Sequence, residues 1–383
     1  MTTPFAFATA GQIVFGAGQS RRLGELIADW GTRVFVCTGS RPDRHRSMLD
    51  ALTMPTVSFA VSGEPTIDLA RTATAAAREA GADVVVAIGG GSVIDLGKAV
   101  AMLLGNGGDP LDYLEVIGAG RAVTAPSVPF AAAPTTAGTG AEVTANAVLS
   151  SPEHGLKASL RARTMLPALA LVDPTLTLDC PSALTAGSGL DALTQCLEPL
   201  VSRNANPITD SLALQGLQRA AVGLRAACAD GADLAARTEM SLCSLLGGMA
   251  LANAKLGVVH GFASAIGALV NAPHGAVCAA LLAPASRANV AALLERDPGN
   301  PALDGYRRAA VTLTGRASAS AEDGIDWIAE TVDMVGISPL SGLGVAASLH
   351  DDIVARTLRA SSTKGNPIEL TAAELHAVLA DAG

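Results

Sequence analysis

The run Asp83-Val84-Val85-Val86-Ala87-Ile88-Gly89-Gly90-Gly91-Ser92-Val93-Ile94-Asp95 decides how the chain is read. Its first six residues are mostly apolar and β-branched, as suits a strand buried on both faces. Three glycines follow at once, and residues 93–104 then carry apolar positions at helical spacing. A strand that turns through glycine into a helix is a βα unit. The helix start presents unpaired N–H groups and the positive end of its dipole, and glycine lets a ligand approach the backbone closely. A pyrophosphate fits there. The spacing is not G-x-G-x-x-G, so a purely structural turn is the other reading.

Working outward, the same rhythm recurs. Residues 34–38 (VFVCT) form a strand run ending at Gly39, residues 67–80 have helical character, and 130–133 (FAAA) lead into Pro134-Thr135-Thr136. Alternating strands and helices predict a parallel sheet with covering helices. The character changes near Val172-Asp173-Pro174. Beyond Pro181 the chain becomes Ala/Leu-rich with helical spacing over roughly 182–202, 206–228, 232–254, 257–270, 274–294 and 303–315, broken at Pro207, Pro273, Pro298 and Pro339. The fold class expected is α/β over residues 1–178, a dinucleotide-binding domain, followed by an all-α domain over 179–383.

Composition bounds the partners. Of 383 residues, 49% are hydrophobic but only 3% aromatic, so the core must be built from Ala, Val, Leu and Ile. A net charge of -9 with no basic stripe disfavours nucleic acid. Arg41, Arg44 and Arg46 do cluster, which a solvated surface turn explains. The six cysteines contain no C-x-x-C pair and read as free thiols in a reducing compartment. No cationic segment precedes the first apolar residues, and Gly, Asp, Arg or Pro interrupts each apolar run before it could span a bilayer. A cytoplasmic protein with no membrane partner is expected.

Two further features carry chemistry. Residues 134–144 (PTTAGTGAEVT) place four hydroxyls and two glycines in one short run. That suits a loop around a ribose or phosphate, or else a Thr-rich turn with local side-chain-to-backbone bonds. Asp191 and Gln195 stand four apart on one helical face, while His260 and His274 sit in apolar surroundings. Unpartnered, such groups are costly to bury. One Asp and two His suit Zn2+ or Fe2+; a satisfied core histidine is the alternative for each.

In order, the motifs FGAG (15–18), GGGSVID (89–95) with Lys98, DYLE (112–115), PTTAGTGAEVT (134–144), LPALALVDPTLT (166–177), GLDALTQ (189–195), LGVVHGF (256–262), PHGAVCAALL (273–282) and KGNPIELTAAEL (364–375) resemble the iron-containing, or group III, alcohol dehydrogenase family. That family lies within the dehydroquinate-synthase-like superfamily. The resemblance implies a Rossmann-like domain, an all-helical domain and an active site in the cleft between them. It implies NAD or NADP held by Gly39, Gly90, Gly91, Ser92, Asp95, Thr135, Thr136, Thr139, Asn146 and Lys157. It also implies a divalent metal, Fe2+ or Zn2+, on Asp191, Gln195, His260 and His274. The activity implied is metal-assisted hydride transfer between the nicotinamide and a small-molecule alcohol, aldehyde or ketone. Relatives are often dimers, so a homodimer is the assembly implied; no catalytic proton donor is identified.

Three departures from the family pattern bear on function. Gln195 stands where a histidine is usual, Ser264 stands where another histidine follows His260 by one turn, and Gly39 replaces an aspartate frequent in NAD-preferring relatives. Loss of that aspartate removes repulsion of a 2′-phosphate, with which Arg41 could pair, so tolerance of NADP is expected. The weakened ligand set keeps other readings open: a metal-independent enzyme like maleylacetate reductases, a sugar-phosphate cyclase, and a non-catalytic relative.

Overall fold

The computed structural model describes residues 4–383 and divides into two compact units. One comprises Thr9–Thr136 and Ala141–Thr177; the other comprises residues 4–8, Ala137–Gly140 and Leu178–Gly383. The expected division after residue 178 has no place for the segment Ala137–Gly140. This segment leaves the α/β unit in the middle of the PTTAGTGAEVT run.

The α/β unit is built on β1 (Gln12–Phe15), β2 (Val34–Gly39), β3 (Thr56–Val61), β4 (Val84–Gly89), β5 (Phe130–Pro134) and β8 (Leu169–Val172), with β6 (Asn146–Ser151) and β7 (Leu156–Arg161) as a separate antiparallel pair. The main sheet runs β1-β8-β5-β4-β2-β3 and every pairing in it is parallel. Helices α1 (Leu23–Ile27), α2 (Arg46–Asp50), α3 (Ile67–Glu79), α4 (Gly91–Asn106) and α5 (Pro110–Tyr113) complete the unit. Strand side chains alternate between two cores. Phe35, Cys37, Val85, Ala87 and Ala132 pack with residues of α3 and α4, whereas Val34, Val36, Val84, Val86 and Ile88 pack with Leu23, Ile27 and Met48. This double burial is why DVVVAI is continuously apolar.

From β2 the chain crosses to β3 at one edge, whereas from β4 it crosses to β5 on the other side. The carboxyl ends of β2 and β4 therefore flank the point where connections diverge, where open α/β sheets bind ligands. Gly97 in α4 makes the close packing possible: a Cβ there would lie 2.7 Å from the Phe130 ring and 2.9 Å from Ala87 Cβ. Gly97→Val should cost about 1–3 kcal/mol through overpacking, read as a lowered denaturation midpoint. An unchanged midpoint would mean that the helix shifts freely on the sheet.

The helical unit comprises α6 (Ser182–Leu200), α7 (Pro207–Ala229), α8 (Leu234–Ala254), α9 (Val258–Gly267), α10 (His274–Arg296), α11 (Pro301–Thr314), α12 (Ala321–Met334), α13 (His350–Arg359) and α14 (Ala372–Asp381). The six expected helical segments correspond to α6 through α11. Ala137–Gly140 lies against α6 and α8 because its glycines lack side chains. A Cβ on Gly138 would stand 2.7 Å from Ser188 Cβ, and one on Gly140, which has φ +57°, would stand 2.5 Å from Gly248 Cα. α10 corrects one expectation: at 23 residues it is long and apolar enough to cross a membrane, since Pro284 does not end it. It is mostly buried within the protein, as a core helix is.

Candidate dinucleotide and metal sites

At the glycine turn, the β4 register ends with Gly89 opposite Pro134, and Thr135 N–H donates to Gly89 O at 3.0 Å. Gly89 is demanded by packing, because a Cβ would stand 2.6 Å from that of Val93. Gly90 caps α4 without any side-chain cap bond, and a Cβ there would reach Thr136 Oγ1 at 3.4 Å. Hydrogen bonds back to Gly90 O begin at Val93 and Ile94, so the amides of Gly91 and Ser92 are the free start of the helix. Gly39 closes β2 beside them, and a Cβ at Gly39 would meet nothing within 4 Å. The structure thus gathers Gly39, Gly90, Gly91, Ser92, Thr135 and Thr136 at one carboxyl edge of the sheet.

The other expected cofactor residues lie beyond this turn. Asp95 Oδ2 accepts from Val148 N–H at 3.1 Å, and its other oxygen lies 3.8 Å from Lys98 Nζ. Lys98 is fully buried and donates to Thr144 Oγ1 and to the Asn146 carbonyl, both at 2.8 Å. Asp95 and Asn146 therefore meet through Lys98 and tie α4 to β6. Burial pushes Asp95 up to about 6 against the pull of Lys98, and pushes Lys98 down to about 8 against Asp95 and Glu142. Lys157 on β7 pairs with Glu64 at 2.6 Å. Thr139 falls in the segment belonging to the helical unit.

In the helical unit, Asp191 on α6, His260 on α9, and His274 and Cys278 on α10 bring one ligand atom each within 4.8 Å of one another. His260 Nε2 stands 3.2 Å from Asp191 Oδ1, and His274 Nε2 stands 3.9 Å from the same oxygen. Neither Asp191 Oδ1 nor His260 Nε2 has a hydrogen-bond partner, although both are buried. Close but misaligned, the two atoms are arranged as co-ligands of one ion rather than as donor and acceptor. Gln195 donates its amide N–H to Asp191 Oδ2 at 2.9 Å, leaving its own Oε1 buried without a partner. These orphaned atoms, with an Asp and two His as donors, fit a divalent cation.

The supporting shell holds these groups in place. α6 and α10 approach backbone to backbone, since a Cβ on Gly275 would stand 2.5 Å from Gly187 O. α9 starts at Gly257, which supplies no side-chain cap. Instead Asn366 Oδ1 accepts from Val258 N–H at 3.1 Å, and Glu198 Oε1 accepts from Val259 N–H at 2.7 Å. The second oxygen of Glu198 lies 2.7 Å from His260 Nδ1, fixing the ring so that Nε2 faces Asp191. Burial opposes a charged imidazole here, yet Glu198 and Asp191 outweigh it and push His260 up to about 10. Burial likewise opposes the Asp191 charge, and His260, His274 and Gln195 outweigh it to hold that carboxyl below its usual range.

A model described as iron-containing alcohol dehydrogenase matches residues 10–174, and one for the C-terminal part of the Fe-containing alcohol dehydrogenase family matches residues 185–383. The chain belongs to the iron-containing alcohol dehydrogenase family. Alcohol dehydrogenase 4 of Saccharomyces cerevisiae is 44% identical over 207 residues, 54% of this chain and 53% of that one. The match thus spans about half the length of the yeast relative. 1,3-Propanediol dehydrogenase of Klebsiella pneumoniae is 35% identical over 302 residues, covering 78% of this chain and 76% of its own. A solved 1,3-propanediol oxidoreductase superposes with a TM-score of 0.92 at 30% identity over 100% of both chains. The family's members are nicotinamide-dependent oxidoreductases that use NAD(P) and a divalent metal on small alcohols and aldehydes.

Against this family background, sequence reasoning missed Glu198, Asn366 and Cys278. Glu198 and Cys278 did leave a local signal. Glu198 continues the face of Asp191 and Gln195 at helical spacing, and Cys278 follows His274 by four residues, one turn further along. Asn366 lies in the KGNPIEL stretch, far along the chain from the helix it caps, so nothing local marks its role.

Proposed function

We propose that the protein is an NAD(P)-dependent alcohol dehydrogenase or carbonyl reductase of the cytoplasm that uses a divalent cation on small alcohols, aldehydes or ketones. The observation that carries the reading is the convergence of Asp191 Oδ1 and His260 Nε2, both buried and unpartnered, with His274 3.9 Å from that same oxygen. Asp191, His260 and His274 hold the cation; when bound, it supplies Lewis-acid polarisation of the substrate oxygen. Glu198 orients His260, and Gln195 orients Asp191. Gly90, Gly91 and Ser92 bind the pyrophosphate through free amides at the start of α4, with Thr135 and Thr136 beside them. Gly39 leaves open space next to that turn, which supports acceptance of NADP as well as NAD. Ser264 is exposed one turn beyond His260 and offers a hydroxyl where the family pattern has an imidazole.

The test is a panel of alcohols, aldehydes and ketones assayed with both cofactors, before chelation, after it, and after adding Zn2+ or Fe2+. Turnover should disappear on chelation and return with the cation. Turnover indifferent to chelation would favour the metal-independent reductase instead, with protonated His260 held between Asp191 and Glu198.

A further inference from the structure

Three protein donors leave a fourth position, and Cys278 is placed to take it. The residue is fully buried one turn along α10 from His274, with Sγ 3.6 Å from His274 Nε2. Around a tetrahedral ion with metal–nitrogen of about 2.0–2.1 Å and metal–sulfur of about 2.3 Å, donors should stand roughly 3.3 Å apart for nitrogen or oxygen pairs and roughly 3.6 Å apart for nitrogen with sulfur. The distances found are 3.2 Å for His260 to Asp191, 3.9 Å for His274 to Asp191 and 3.6 Å for Cys278 to His274. The first and last match such edges closely, the His274–Asp191 edge is longer by about 0.6 Å, and all four donor atoms lie within 4.8 Å of one another.

Gln195 is placed otherwise. Its amide N–H is committed to Asp191 Oδ2 at 2.9 Å, and turning the amide over would set its oxygen against that carboxylate.

We propose that Cys278 is the fourth protein ligand of the cation in the substrate-free enzyme, completing an Asp–His–His–Cys set that favours Zn2+ over Fe2+. Gln195 then serves to orient Asp191. The proposal rests on the metal reading of this same site. A thiolate is a soft donor, and adding one to imidazoles and a carboxylate moves the set toward zinc.

Cobalt tests this, because a thiolate bound to Co2+ gives a near-ultraviolet charge-transfer band that carboxylate and imidazole do not. The full chain, stripped with chelator and titrated with Co2+, should show the band on uptake. Cys278→Ser and Cys278→Ala should lose the band while still binding Co2+, roughly tenfold or more weakly. Gln195→Ala should keep the band. Cobalt taken up by the unaltered protein without the band, or a band that survives in both Cys278 variants, overturns the fourth ligand and leaves the three-donor site standing. No cobalt uptake by the unaltered protein overturns the metal site itself, and the proposal with it.

Discussion

His274→Ala should lower kcat/KM by about a thousandfold or more, and His260→Ala at least as far. Losing the polarising cation removes several kcal/mol of stabilisation as charge develops on the substrate oxygen, and roughly 4 kcal/mol corresponds to that factor. The two variants should differ in stability. The His274 side chain is 39% exposed and sits in the first turn of α10, so its truncation should leave the denaturation midpoint nearly unchanged. His260 is buried between two carboxylates, and its loss strands Glu198 with the Val259 N–H as its remaining partner. Breaking a buried pair in this way costs about 3–5 kcal/mol. Steady-state kinetics and thermal denaturation on the same preparations separate the two effects. Full activity in both variants would refute the assigned role.

Gly39→Asp should turn the enzyme toward NAD, lowering the ratio of kcat/KM with NADP to that with NAD by roughly 10- to 100-fold. Open space surrounds the place where the new side chain begins, so the substitution should fold normally. A carboxylate at the end of β2 stands where an adenosine ribose is held in dinucleotide folds, accepting from its hydroxyls and repelling a phosphate. Arg41 lies two residues on, is exposed, and has no ion pair among the described residues, so its guanidinium is available to a 2′-phosphate. Kinetics with both cofactors for Gly39→Asp and the unaltered protein decide it. An unchanged ratio would place the ribose away from the β2 edge.

What was legible in the sequence follows from where each group sits. The 83–88 strand could be read because both of its faces are buried, leaving no polar residue to blur it. β3 could not, because as an edge strand most of its side chains are at least partly exposed and its pattern resembles that of a loop. The helices from α6 to α11 announced themselves through spacing and proline breaks. Asp191, His260 and His274 were conspicuous as polar groups in apolar runs. Asp95 was read as a cofactor residue; that its carboxylate meets Lys98 and the Val148 amide depends on where β6 lies, which no local pattern reveals. The 137–140 segment was unreadable for the same reason, since only packing against Ser188 and Gly248 reveals its place in the helical unit.

The claim on which the account stands is that Asp191, His260 and His274 together hold one divalent cation needed for turnover. Calorimetric titration of the chelator-stripped protein with Zn2+, with turnover followed in parallel, tests it most directly. The account predicts uptake of one equivalent, return of activity in step with that uptake, and, in His260→Ala, loss of activity with markedly weakened uptake. Turnover in the stripped protein, or uptake as tight in His260→Ala as in the unaltered protein, would contradict it.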